Sequence, residues 1–194
     1  MELIELEGRV YASPANLMPV GHIQDTLPPG FGPWFPPYAL LGGRELGPVD
    51  VAFGFDSALQ GITTQQADAL AQQALLEWLA VIPLAAYTLP DPGPTYVPPA
   101  GQAFVRFDDA PLPAGIGADA WPPDGEPQQV TVSVGYTWSP ETFHTAMLHE
   151  IGHNLGLDHN TSDDRSVIHA ALAEDADSLQ PDDIAGVQSL YGTR

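Results

Sequence analysis

The spacing of three histidines, His149, His153 and His159, constrains the fold of this chain more than any other feature. The first two are four residues apart, so on a helix they lie one turn apart on one face, where both imidazoles can reach one metal ion. A ligand six residues further on can reach the same ion only if the helix ends between them. Gly156 allows this ending, because glycine adopts a positive φ without a steric penalty. The spacing therefore predicts a helix, a sharp turn and a metal site with three histidines.

Glu150 lies between the first two histidines and can accept a proton from a water molecule that the metal activates. Three histidine ligands leave a fourth position open for that water, which is typical of a catalytic zinc site and not of a structural one. The alternative is that these histidines are ordinary core residues. It requires three of the chain's six histidines to fall at this spacing by chance. We therefore predict one catalytic zinc ion.

The composition excludes several classes of function. The chain has 25 acidic and 5 basic residues, a formal net charge of -20 and no lysine, so nucleic acid and anionic membrane surfaces would repel it. It has no cysteine, which leaves histidine and carboxylate side chains as metal ligands. No apolar run is long enough to cross a bilayer, and the N-terminus lacks the layout of a signal peptide. We expect a secreted protein whose leader has been removed, and a cytoplasmic location stays open.

The chain divides near residue 48. Residues 1–48 contain eight prolines interleaved with aromatic residues, which indicates an arm that packs on the domain, with a strand over Leu3–Tyr11. Residues 49–194 have the length and pattern of one compact domain. Its elements are predicted from hydrophobic periodicity and capping residues. They are strands at Val49–Phe55, Leu84–Leu89, Ala103–Phe107 and Val130–Val134, a helix at 64–81, a helix beginning at Ser139-Pro140 and a last helix from Gln180-Pro181 to Gly192, with a loop-like stretch over 108–127.

The residues His149-Glu150-x-x-His153-x-x-Gly156-x-x-His159 match the metzincin signature. The segment 179–192, Leu-Gln-Pro-Asp-Asp-Ile-Ala-Gly-Val-Gln-Ser-Leu-Tyr-Gly, resembles the closing helix of the matrixins, the matrix-metalloprotease branch. The resemblance covers 49–192. It implies an α/β catalytic domain with a twisted, mostly parallel sheet and one antiparallel edge strand within 115–120. An active-site helix and a smaller C-terminal subdomain that ends in a helix complete this fold.

The same resemblance implies a zinc endopeptidase that cleaves proteins or peptides bound in extended form along the edge strand. His149, His153 and His159 would be the zinc ligands and Glu150 the general base. The side-chain pocket would be bordered by Thr145, Ala118 and Ile168, with the loop 170–181 as its outer wall. We expect the protein to be a monomer.

The chain departs from the matrixin pattern at the methionine turn, where the matching segment is Ser166-Val167-Ile168-His169. Ile168 takes the place of the methionine, and no methionine follows Met147. Since that methionine packs beneath the metal and does not bind it, isoleucine can fill a similar volume. His169 as a fourth zinc ligand would close the site, and the alternative is an ordinary, partly exposed histidine.

The family's second, structural zinc lacks its ligands here, because Asp119, Thr131 and Ser133 occupy the corresponding places. We predict that this second zinc is absent. Calcium is a further candidate, since hard carboxylate ligands suit it; the alternative is that these acids are simply solvated. The candidate calcium ligands are Asp108, Asp109, Asp119 and Asp124.

Two questions of function stay open at this point. Matrixin latency uses a cysteine in a propeptide, which this chain lacks; His22 or Asp25 could cap the zinc instead, or the arm could simply pad the domain. A catalytically silent zinc-binding recognition domain is the alternative to an enzyme. The presence of Glu150 favours the enzyme, because a silent domain has no need of a base beside the zinc.

Overall fold

The computed structural model describes the central sheet, its helices and parts of the N-terminal segment. The described residues are 2–6, 9–13, 17–19, 39–40, 49–93, 96, 103–120, 128–160, 165–169, 171–173 and 176–194. The elements, in chain order, are β1 (Glu2–Leu6), β2 (Arg9–Ser13), β3 (Leu17–Pro19), β4 (Ala39–Leu40), β5 (Val49–Gly54), α1 (Thr64–Val81), β6 (Ala86–Leu89), β7 (Ala103–Ala110), β8 (Ala118–Ala120), β9 (Gln128–Ser133), α2 (Pro140–Asn154), β10 (Leu157–Asp158), β11 (Ala171–Ala173) and α3 (Pro181–Tyr191).

A five-stranded sheet in the order β6-β5-β7-β9-β8 forms the main layer of the fold. Strands β6, β5, β7 and β9 run parallel, and β8 pairs with β9 antiparallel at one edge. The predicted α/β fold with an antiparallel edge strand within 115–120 is therefore confirmed. Part of the stretch 108–127 that was predicted as loop is strand, because β7 extends to Ala110 and β8 lies within it.

Helices α1 and α2 pack against each other, and the hydrophobic core lies between them and the sheet. Both helices begin at a capping box, formed by Thr63 with Gln66 and by Ser139 with Thr142, as the sequence predicted for α1. The buried indole of Trp78 on α1 donates a hydrogen bond of 2.9 Å to the carbonyl of Leu148 on α2. This contact fixes α1 against the middle of the helix that carries the histidines.

The N-terminal segment forms short strands, which differ from the prediction. A single strand over Leu3–Tyr11 was expected, and this was wrong: β1 and β2 pair antiparallel as a hairpin, with Leu6 opposite Arg9. The prediction overlooked Gly8, because a glycine within a strand pattern weakens the strand. Further along, β3 pairs antiparallel with β11, and β4 pairs antiparallel with β10. These two pairings join the N-terminal segment to the part of the chain after α2.

Candidate metal centre

The helix α2 and the turn after it place the three histidines as their spacing predicted. The helix ends at Asn154, and Gly156 follows with a φ of 99°. The Gly156 amide donates a hydrogen bond of 2.9 Å to the carbonyl of His153, which closes the turn. The chain then passes through β10 and reaches His159.

His149, His153 and His159 converge at a buried point. Each offers one ligand atom, and these atoms all lie within 4.8 Å of one another. The Nε2 atoms of His149 and His153 are 2.7 Å apart. The ring of His159 has its centroid 5.3 Å from that of His149 and 4.8 Å from that of His153. Within the described residues, this is the one group of three or more potential metal ligands.

The hydrogen bonds of the two helical histidines determine which ring nitrogens are protonated. The Nδ1 of His149 is 2.6 Å from the Val167 carbonyl, and the Nδ1 of His153 is 2.8 Å from the Leu157 carbonyl. A carbonyl oxygen only accepts, so both Nδ1 atoms carry the proton. Burial lowers the pKa of His149 well below its ordinary value and that of His153 to about 4, so both rings are neutral at pH 7.

Neutral rings protonated at Nδ1 leave an unshared electron pair on each Nε2. Two such atoms 2.7 Å apart cannot form a hydrogen bond with each other, since neither carries a proton. A cation bound by both electron pairs would remove this repulsion. The donor set therefore fits a metal ion that prefers imidazole nitrogen, and the backbone carbonyls of Val167 and Leu157 hold the rings as outer-shell partners do in metal sites.

Glu150 lies in the same turn of α2 and is 1% exposed. Its Oε2 has no hydrogen-bond partner among the described residues. Burial raises the pKa of the Glu150 carboxyl well above its ordinary value, and the nearby carboxylate of Asp119 on β8 raises it further. A buried carboxyl oxygen without a partner needs an explanation, and a cation or a water molecule at the adjacent site provides one.

A turn at Ser166–His169 contacts His149. The sequence analysis did not predict which residue holds this turn in place. The buried carboxylate of Asp183 on α3 accepts hydrogen bonds from the Ser166 hydroxyl at 2.5 Å and the Val167 amide at 3.1 Å. The carbonyl of Val167 in turn faces His149. A continuous path of hydrogen bonds therefore runs from α3 to a candidate ligand. The sequence placed Asp183 at a helix N-terminus, but its partners on the turn had no local signal.

Ile168 takes the methionine position and packs beneath α2. It is 2% exposed, and a Cβ on Gly152 would overlap its Cδ1 atom. The side chain therefore fills the space under the turn of helix that joins His149 to His153, as the sequence analysis proposed for a residue of similar volume.

Replacing Ile168 with alanine is expected to lower the free energy of unfolding by about 2–5 kcal/mol, because the surrounding core cannot close the cavity. Methionine at the same position should cost less than about 1.5 kcal/mol, since it nearly conserves the volume. Denaturant unfolding with a chelator present measures both without a contribution from bound metal. Equal losses for the two variants would contradict the packing role of Ile168.

The other predicted pocket residues are also buried. Thr145, one turn before His149 on α2, is 2% exposed, and Ala118 on the edge strand is 3% exposed. Of the loop 170–181, residues 171–173 and 176–181 are described. The edge strand β8 contacts α2, the helix that carries two of the three histidines. That these residues border a side-chain pocket stays a prediction.

Among the described residues, the candidate calcium ligands Asp108, Asp109 and Asp119 do not form a group of potential metal ligands. Asp108 accepts hydrogen bonds from Arg106 and from Gln129, the latter at 3.3 Å, while Asp109 accepts one of 2.6 Å from the Ser57 amide. Asp119 lies on β8 near Glu150. Calcium binding stays a prediction.

The remaining predictions concern other candidate metal ligands. Thr131 and Ser133, at the places of structural-zinc ligands, are buried on β9. His169 is half-buried, forms a backbone bridge with Asn160 and is not part of the group of three ligands. The candidates His22, Asp25 and Asp124 lie outside the described residues.

Comparison with known families agrees with this site. The sequence model of the matrixin family matches residues 102–192, which span β7 to the end of α3. This part of the chain is therefore matrixin-like, and the family is one of zinc metalloproteases, as the histidine motif indicated. A comparison with curated proteins finds no match. Residues 49–101 lie outside the family match, although β5 and β6 belong to the same sheet.

No helix in the described part of the chain is long and apolar enough to cross a membrane.

Proposed function

We propose that this chain is a zinc endopeptidase in which His149, His153 and His159 hold the ion and Glu150 is the general base. The observation that carries the proposal is the pair of neutral histidines whose unprotonated Nε2 atoms lie 2.7 Å apart, next to the buried carboxyl of Glu150. When bound there, zinc would lower the pKa of a water molecule and polarise the scissile carbonyl.

Residues of the chain transfer the proton and bind the substrate. Glu150 accepts the proton of the attacking water and passes it to the leaving amine, so that the carboxylate is regenerated in each cycle. Burial raises the pKa of Glu150, and the positive charge of a bound ion would oppose this by favouring the ionised form, which is the form that accepts a proton. The edge strand β8 presents backbone groups to an extended peptide, and Thr145, Ala118 and Ile168 border the side-chain pocket.

The matrixin match and the net charge indicate the class of substrate and the location. Matrixins act on proteins, so a protein or peptide is the proposed substrate, and secretion is the proposed location. The net charge of -20 disfavours nucleic acid as a partner. A monomer is also proposed, with a catalytic domain over residues 49–194 and an arm over residues 1–48 that packs on it.

Cleavage of an unfolded protein tests the function. The full chain, loaded with zinc, is expected to cut casein, and a chelator is expected to stop the reaction. Zinc added after removal of the chelator should restore it. A zinc-loaded chain that binds the ion but cuts neither casein nor a mixed peptide library would favour the silent recognition domain.

A further inference from the structure

The N-terminal strand β4 pairs with the segment that leads to the third histidine. Leu40 lies opposite Leu157 and Ala39 opposite Asp158, in an antiparallel pairing. Strand β10 occupies the positions between the Gly156 turn and His159. In the part of the chain that the structure describes, β4 is the only strand paired with β10.

The position of β10 determines the position of two candidate ligands. The Leu157 carbonyl accepts the hydrogen bond from the Nδ1 of His153 at 2.8 Å. Asp158 accepts a hydrogen bond of 2.7 Å from the amide of His159 and directly precedes it. A shift of this short strand would therefore turn one imidazole and move another.

The same N-terminal segment reaches the C-terminal subdomain a second time. Strand β3 pairs antiparallel with β11, with Met18 opposite Leu172. Strand β11 comes shortly after His169, whose backbone bridges to Asn160, the residue after His159. Both pairings thus involve the backbone on either side of the Asn160–His169 bridge.

We propose that β4 is a positioning element of the metal centre, and that the N-terminal segment is a permanent part of the site and not an inhibitory segment removed for activity. The inference rests on the proposed function for the identity of the ion and the roles of the histidines. The pairing itself does not depend on catalysis. Strand β4 acts through β10, by holding the Leu157 carbonyl and the His159 backbone in place.

Disruption of β4 is expected to weaken zinc binding. The size of this loss follows from other metal sites, where removing a group that orients a ligand costs about 10–100-fold in metal affinity. Proline substitutions in β4 test this role, because proline lacks the amide hydrogen that a strand pairing requires. Alanine keeps that hydrogen. The comparison of the two substitutions separates the backbone pairing from the side chain.

Three variants of the full chain test the proposal by zinc affinity, measured by competition with a chromophoric chelator. Ala39→Pro with Leu40→Pro is expected to weaken zinc binding about 10–100-fold. Leu40→Ala should leave the affinity unchanged. The matched control, Ile4→Pro with Glu5→Pro, breaks β1, which pairs with β2 and not with β10, and should also leave it unchanged. Equal affinity for all three variants and the unmodified chain overturns the proposal.

Hydrogen exchange on the unmodified, zinc-free chain provides a second measurement if the double proline variant does not fold. At least one of the amides of Ala39 and Leu40 should be protected, because the pairing with β10 requires it. Exchange of both amides at the rate of an unstructured peptide overturns the proposal. Neither readout needs peptidase activity, so a chain that binds zinc but cuts nothing would refute the proposed enzyme and leave this inference intact.

Discussion

Replacing Glu150 with glutamine is expected to lower kcat/KM for casein or a peptide about 10²–10⁴-fold while one zinc ion stays bound per chain. The loss is of this size because general base catalysis contributes about that much to peptide hydrolysis. The change should cost little stability, since burial already raises the pKa of Glu150 and disfavours its charged form. Steady-state kinetics and metal analysis on the same preparation check both parts.

The matched control for this variant is Glu141→Gln, an exposed glutamate in the first turn of the same helix. It makes the same glutamate-to-glutamine change on α2 at an exposed position and should leave kcat/KM within about twofold, since surface charges contribute little. Full activity in the Glu150 variant would show that another group moves the proton. A loss of zinc together with activity would show that Glu150 supports the metal and would leave its role as base without support.

Replacing His159 with alanine is expected to weaken zinc binding by more than about 100-fold and to abolish cleavage at equimolar zinc. His159 is the candidate ligand outside α2, and its removal leaves two imidazoles on one helix face. The loss should exceed that of the β4 proline variant, because a ligand is removed and not merely displaced. Competition with a chromophoric chelator measures the zinc affinity of each variant. Unfolding of the zinc-free form shows whether each variant still folds.

Two other histidines serve as controls for the His159 variant. His144 lies on α2, 3.2 Å from Glu77 on α1 and outside the ligand group, so His144→Gln should keep the zinc affinity. His169→Gln should also keep it if His169 is an ordinary, half-buried histidine. A loss of affinity at His169 comparable to that at His159 would make it a fourth ligand and would contradict an open, catalytic site.

The helices and the histidine site could be predicted because their signals are local. The start of α2 depends on Ser139 and Pro140, and its end on Gly156, all within a few residues of the feature they determine. The spacing of the histidines then fixes which of them share a helix face. The antiparallel edge strand came from the family resemblance, since a three-residue strand has too little periodicity of its own.

The contacts that support the site could not be predicted, for two physical reasons. The carbonyls of Val167 and Leu157 orient two histidines, and a backbone carbonyl carries no signal in the choice of side chain. The pairing of β4 with β10 involves two residues on each strand, far apart along the chain. Such pairings depend on how the rest of the fold brings the strands together, and no pattern within either segment specifies them.

Zinc titration of the metal-free full chain tests the central claim most directly, with casein cleavage and bound zinc measured at each step. If the chain is a three-histidine zinc peptidase, it should not cleave casein without zinc. The rate should rise in proportion to bound zinc and reach a plateau at one ion per chain. Cleavage in the absence of zinc, a requirement for two ions, or one bound ion with no cleavage would contradict it.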